Sequence, residues 1–268
     1  MSNQSLGKRV HSELRQAVQS GQLPAAAQEK ATKLLTRLDQ PVRLALMGMP
    51  GSGKSTLMNL LVGADVMVEG VRLPTLQLSY GEKNQAICTL PDGSKQTLDT
   101  VDAATIAALS PLFVDLKMPL PALAKISVLE VVAPNDPTAI QRATQWASKR
   151  SDIALWCTRG FVEAEQEIWA PMPDLIKDHA FCMMPRADLL AADGLLDAAL
   201  GAVQSKANEE FNLVLPIGTV QAIAARRPDG SVDKDMLRAS GGWALISAVL
   251  KQVDQGKQSA IDMADILL

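Results

Sequence analysis

A chain of 268 residues, 47% hydrophobic and 21% charged, has the balance of a folded globular protein and the length for one sizeable α/β domain with helical extensions. Its net charge of −3 and pI of about 5.5 give no global positive field, which excludes direct nucleic-acid binding and leaves only indirect contact with a membrane. The three cysteines, Cys88, Cys157 and Cys182, lack CxxC spacing. That excludes a disulfide framework or a zinc site and suits buried thiols in a reducing cytoplasm.

Two helical patterns open the chain. Leu6, Val10, Leu14 and Ala17 recur at helix spacing, and after the breaker at 21–24 so do Ala27, Ala31, Leu34 or Leu35, and Leu38. The start of the chain carries no signal-length apolar core, and no run of about 18 apolar residues occurs, so a cytoplasmic location is expected. After Pro41, the apolar run 42–47 leads into glycines as a strand feeding a loop. Strands are then expected at 86–90, 125–132, 152–157, 180–184 and 213–217, with helices at 138–148, 163–169, 195–211 and 220–226 between and after them. This alternation predicts an α/β fold with a mostly parallel sheet covered by helices on both faces. Asn135 or Asp136 followed by Pro137 is a helix start, and 91–94 is a hairpin turn.

The last stretch predicts a long helix with Trp243, Ile246, Leu250, Val253 and Ala260 or Ile261 on its apolar stripe, and Gly256 as a point of interruption. The expected organisation is N-terminal helices over 1–40, a phosphate-loop domain over 41–230 and a C-terminal helix within 231–268. Whether the terminal helices form a small bundle or dress the main sheet stays open at this level.

Gly48-Met49-Pro50-Gly51-Ser52-Gly53-Lys54-Ser55 matches GxxxxGK[ST] in full, between an apolar strand and a helical stretch that begins with Thr56. Glycines let main-chain N–H groups close on phosphates, and the helix adds the positive end of its dipole. Lys54 is assigned to the β- and γ-phosphates and the Ser55 hydroxyl to Mg²⁺.

From Arg43 to Arg226 the chain resembles the dynamin-like GTPases, particularly the bacterial ones. The helix after the loop, Ser55 to Gly63, and the segment Val71-Arg72-Leu73-Pro74-Thr75 are similar to that family's first switch. The resemblance implies that Thr75 closes over Mg²⁺ and the γ-phosphate. Phe181-Cys182-Met183-Met184-Pro185-Arg186-Ala187-Asp188 is similar to the family's base-recognition motif, with Pro185 and Arg186 replacing its first two residues. Asp188 would accept the two donors of guanine and Arg186 would cover the base. Gly218 and Thr219 stand where a supporting loop offers backbone N–H groups.

Beyond the base-recognition motif, the sequence departs at two further places. The Asp-x-Pro-Gly motif is replaced by Val132-Ala133-Pro134-Asn135, which lacks the carboxylate and the mobile glycine; Asp136 is the nearby substitute. Pro50 stands where the eukaryotic members carry a water-positioning glutamine and has no donor, although proline occurs at this place in other GTPases. The resemblance therefore implies GTP with Mg²⁺ (GDP after hydrolysis) and a switch with weak or absent hydrolysis. Its partner would be another protein, or a second copy met through the nucleotide face or the terminal helices. An active GTPase completed by dimerisation is the second reading. A small-molecule kinase, suggested by the phosphate loop alone, is the third. His11 and His179 are too few and too far apart for a metal site, and Arg159, at a strand end, reads as a surface residue, with an approach to the phosphates or to a partner as the alternative.

Overall fold

A computed structural model describes residues 3–21, 23–66, 70–227 and 229–268, leaving the side chains of 3–6, and so the predicted contact of Leu6, outside the description. The chain divides into two units, Met1–Val42 with Ser247–Leu268, and Arg43–Ile246. In chain order α1 (Asn3–Ser20) and α2 (Ala25–Asp39) precede β1 (Val42–Gly48), whose exit leads into α3 (Lys54–Val62). Next come β2 (Leu76–Tyr80), β3 (Gln85–Thr89), β4 (Lys95–Leu98), α4 (Ala103–Ala108) and β5 (Phe113–Met118), then a 3-10 turn at Pro121–Ala124 and β6 (Ile126–Glu130). From there helices and strands alternate through α5 (Pro137–Ser148), β7 (Ile153–Cys157), α6 (Glu163–Trp169), α7 (Asp174–Lys177), β8 (Ala180–Pro185), α8 (Ala187–Ala192), α9 (Leu196–Ala207), β9 (Leu213–Ile217) and α10 (Thr219–Ala224). The chain closes with α11 (Lys234–Ala239) and α12 (Gly242–Leu267).

The strands form one nine-stranded sheet, β4-β3-β5-β2-β6-β1-β7-β8-β9. The fold is α/β, with β1, β7, β8 and β9 paired in parallel. Every residue of β6, β7 and β8 is buried, as expected where helices cover both faces of a parallel sheet. The β2 and β3 strands instead alternate buried with half-exposed residues. They sit in the other half of the sheet, where β2 runs antiparallel to β6 and β3 antiparallel to both β4 and β5. The sheet is therefore mixed at one side and parallel where the loop of β1 emerges. The hairpin turn at 91–94 joins β3 to β4, with Asp92 Oδ1 accepting from Ser94 N at 2.9 Å.

An aromatic cluster packs beside β7. Trp156 meets Trp169 edge-on at 5.5 Å, Trp169 stacks on Phe211 at 4.4 Å, and Phe161 meets Phe211 edge-on at 5.3 Å. These four are among the few aromatic residues of the chain, which makes 3% of its residues aromatic, so the stiffest packing is concentrated under one loop.

In the other unit, Val10, Leu14, Ala31 and Ala264 form a buried cluster supported by Leu34, Leu35, Leu38 and Ile261. The helices α1, α2 and the later part of α12 thus share one apolar core. Asp39 ties α2 to α1 by accepting from His11 Nε2 at 2.8 Å and Arg15 Nη2 at 2.7 Å.

Two expectations for α12 need correction. Its buried residues are Leu245, Val249, Val253, Ala260 and Ala264, whereas Trp243 is 47% and Leu250 41% exposed. Apolar residues occupy more than one face of this helix, so spacing alone could not fix its phase. Gly256 does not interrupt it. The roughly 1 kcal/mol that glycine costs relative to alanine is small against the packing of so long a helix. Among the described residues no helix is long and apolar enough to cross a membrane.

Candidate functional site

The phosphate loop leaves the C-terminal end of β1 through three glycines with positive φ, Gly48 at 128°, Gly51 at 72° and Gly53 at 99°. Two of them are also forced by close approach. A Cβ on Gly48 would lie 2.2 Å from the Cys157 carbonyl at the end of β7, and one on Gly53 would lie 2.8 Å from Pro185 Cβ at the end of β8. The loop is thus seated on its neighbouring strands, and the altered base-recognition motif touches it directly through Pro185.

Lys54 opens α3 and is only 7% exposed. Its Nζ donates to the carbonyls of Gly48 and Met49, both at 2.9 Å. Burial holds its pKa below the ordinary lysine value, opposed by Cys157 and Glu130. Ser52 is buried, Pro50 and Gly51 are exposed, and Met49, Gly53, Ser55 and Thr56 are half-buried around the mouth. All eight loop residues, and Thr56 behind them, therefore line one turn at the strand ends, where α/β folds gather their ligands.

Sequence reasoning missed Glu130. It is the last residue of β6, 3% exposed, and its Oε1 accepts from Ser55 Oγ at 2.6 Å. Its Oε2 is buried without a partner. Burial raises the carboxyl above the ordinary glutamate value, with the Ser55 hydrogen bond and Lys54 opposing. A strand presents alternate residues to one face, so Glu130 occupies the same face as Val132 but one step earlier. The family motif, anchored on Pro134, steered attention past it. A lone charged residue closing a strand that carries no other charge was the signal available.

Asp136, the substitute considered from sequence, is engaged elsewhere. Its side chain caps α5, accepting from Ala139 N at 2.7 Å. It satisfies one of the unpaired N–H groups that every helix start carries, which is why it precedes Pro137.

Thr75 lies just before β2, and its hydroxyl bonds both the N–H and the carbonyl of Val132, each at 3.0 Å. These side-chain bonds lie just beyond the β2–β6 pairing, in which Leu76 registers with Glu130.

At the other end of the site, Arg186 is exposed with a left-handed φ of 66° and precedes α8, and Asp188 sits half-buried in the first turn of that helix. A Cβ built on Gly218 would lie 3.0 Å from Asp188 Cβ, so the ends of β8 and β9 bring these residues together. The expected support of a base by the Gly218 N–H requires correction. That group donates to Ser240 O at 2.9 Å, because the α11–α12 turn packs on this loop with Gly241 only 2.4 Å, by its would-be Cβ, from Pro216 O.

Arg159, in the loop after β7, donates from Nη2 to Gly51 O at 2.9 Å. It is exposed, as a surface arginine is, and also holds the phosphate loop. With Met49, Pro50, Ser52, Gly160, Val162 and Glu165 it borders a cleft of about 340 Å³.

Residues 43–168 match a family model described as 50S ribosome-binding GTPase. Over 211 residues the chain is 26% identical to Dynamin-like protein 2 of Campylobacter jejuni subsp. jejuni serotype O:23/36 (strain 81-176), covering 74% of this chain and 34% of that protein. Two solved chains described as an oligomerised bacterial dynamin pair that provides a mechanism for long-range sensing and tethering of membranes share its fold. One aligns with a TM-score of 0.70 at 16% identity, covering 98% of this chain and 54% of the other. The second gives 0.61 at 17%, covering 97% and 42%. The chain spans about a third of the curated relative and about half of the solved ones. A complete phosphate loop on a mixed, mostly parallel sheet, a GTPase family model over residues 43–168 and this set of relatives agree: the fold is that of a P-loop GTPase, and the chain is similar to the dynamin-like proteins.

Proposed function

We propose that this domain binds GTP with Mg²⁺ and acts as a nucleotide-dependent switch with slow hydrolysis, reporting the γ-phosphate to a protein partner. The observation that carries this reading is the buried Glu130 carboxylate at 2.6 Å from the Ser55 hydroxyl, with its second oxygen unpaired. A buried carboxylate oxygen without a donor is costly unless a ligand satisfies it, and Mg²⁺ takes hard oxygen donors of this kind. The residues present fit the ion: Ser55 would ligate it and Glu130 would hold its water shell, with Thr75 joining if its bonds to Val132 are exchanged. Mg²⁺ supplies neutralisation of charge on the β- and γ-phosphates. Lys54 supplies a second positive charge, and Asp188 distinguishes guanine from adenine by accepting two donors.

Slow hydrolysis follows from the other half of the site. Pro50 has no group to position water, and Asn135 stands where a mobile glycine would follow the phosphate. The switch reading is supported by the Thr75–Val132 bonds, which make the segment before β2 and the exit of β6 move together. We place the protein in the cytoplasm, where its three buried free thiols stay reduced, and assign any membrane contact to a partner.

Titration with fluorescent GTP and ATP in Mg²⁺ tests the base assignment; tighter ATP binding overturns it in favour of a kinase. Phosphate release measured across protein concentrations tests the rest. A slow rate per molecule, flat with concentration, is expected. A rate that climbs with concentration favours the second reading, a GTPase completed by dimerisation, to which the oligomerised relatives lend support.

A further inference from the structure

The loop between β7 and α6 is held from both sides of Arg159. Thr158, fully buried, donates from its hydroxyl to Glu165 Oε2 at 2.8 Å and accepts from Gly160 N at 3.0 Å and Phe161 N at 2.6 Å. Glu165, itself 4% exposed, also accepts from Trp156 Nε1 at 3.3 Å and Val162 N at 3.1 Å. Phe161 adopts a left-handed φ of 43°, a conformation that a bulky residue keeps only where its surroundings impose it. Here the aromatic cluster does so, because the ring is 1% exposed and packs on Phe211. Arg159 therefore projects from a rigid base.

Its single phosphate-loop contact is with a main-chain carbonyl. In a trans peptide the carbonyl and the following N–H point in opposite directions. Holding Gly51 O toward Arg159 thus turns the Ser52 N–H into the loop, where it donates to Met49 O at 3.2 Å, the same carbonyl that takes Lys54 Nζ. Gly51 has φ 72° and no side chain to resist rotation, and, chain neighbours aside, no described atom within 4 Å of its would-be Cβ other than Arg159 Nη2, so its peptide is held by that outside anchor.

We propose that Arg159 is a positioning residue for polyphosphate: its guanidinium fixes the Gly51–Ser52 peptide so that the Ser52 N–H stays turned into the loop, where a phosphate oxygen can replace Met49 O as its acceptor. The role rests on the phosphate-loop reading and adds to it a residue outside the motif. Arg159 acts through the peptide and makes no contact of its own with the nucleotide.

The test compares wild type with Arg159→Ala and Arg159→Gln in displacement titrations of GMP, GDP and GTP with Mg²⁺, alongside thermal unfolding without nucleotide. Both variants should lose about tenfold in affinity for GDP and GTP, keep their affinity for GMP and unfold at the wild-type temperature. Arg159 lines a cleft of about 340 Å³, and its removal leaves room there for a free guanidinium ion, so millimolar guanidinium should restore part of the GDP affinity of Arg159→Ala and leave wild type unchanged. Equal loss for GMP and GTP, unchanged GDP affinity, or no rescue by guanidinium would overturn the assignment. Wild-type protein that binds neither GDP nor GTP would instead sink the phosphate-loop reading itself.

Discussion

Ser55, the last residue of the phosphate loop, donates its hydroxyl to Glu130 at the end of β6 over 2.6 Å, across a sequence separation of 75 residues. The carboxylate that the family motif carries is missing at Val132 in this chain, and the proposed function gives its place to Glu130, two positions upstream. Replacing Glu130 with Gln keeps the shape and removes the charge. We expect the Mg²⁺ concentration needed for half-maximal GTP binding to rise by about tenfold or more, as for other groups that orient a metal's ligands. A variant with unaltered Mg²⁺ dependence would show that Glu130 is only a buried hydrogen-bond acceptor.

The same variant carries a pH signature in nucleotide-free protein. Burial raises the Glu130 pKa above 4.5, so the folded state holds its proton more tightly than the unfolded state. Wild type therefore loses stability as pH rises from the unfolded value to the folded one, and the loss is absent below that window. Glu130→Gln cannot titrate. Its melting temperature relative to wild type should increase across that range and then level off; a difference independent of pH contradicts the assignment.

Lys54→Met should abolish most triphosphate binding, since the ammonium is the one side-chain cation the loop motif brings to the phosphates. Removing hydrogen bonds to a charged partner costs about 1.5–3 kcal/mol, roughly ten- to a hundredfold in affinity. Isothermal titration with GTP measures it. Because burial already disfavours the charged form, the methionine variant should be at least as stable as wild type without nucleotide.

Asp188→Asn tests the base. Asparagine offers one acceptor and one donor where the carboxylate offers two acceptors. Affinity for GTP should fall by about tenfold or more while affinity for xanthosine triphosphate, whose C2 oxygen takes a donor, should rise. Parallel displacement curves for the two nucleotides decide it, and an unchanged ratio means that Asp188 faces no base.

Asp136→Ala separates the cap from the metal. Loss of the α5 N-cap should cost about 1 kcal/mol and lower the melting temperature, with Mg²⁺ dependence of binding unchanged. In the helical unit, Leu14→Ala should cost about 2–5 kcal/mol, because its side chain is fully buried against Val10, Ala31 and Ala264. Hydrogen exchange in α1 and α2 reports that loss directly.

Much of the fold is legible because central strands and flanking helices carry strong, local signals. The apolar runs that became β7 and β8 are buried on both faces, and the Pro137 start of α5 is written in two residues. The strands β2 and β5 are harder to see. Leu76-Gln77-Leu78-Ser79-Tyr80 and Phe113 to Met118 are half-buried, and the first of them lies next to a segment whose resemblance to a switch drew the eye.

By itself the sequence determined the phosphate loop, since glycine spacing and a single lysine dictate a main-chain conformation whatever surrounds them. It also determined the alternation of elements that places such a loop at a strand end. Only the tertiary structure decided which acid meets Ser55, what Asp136 caps, that the Gly218 amide is taken by Ser240, and that Arg159 grips the loop. Each of these depends on residues far apart in the chain meeting at bonding distance, and chain order carries no record of distance once the backbone turns.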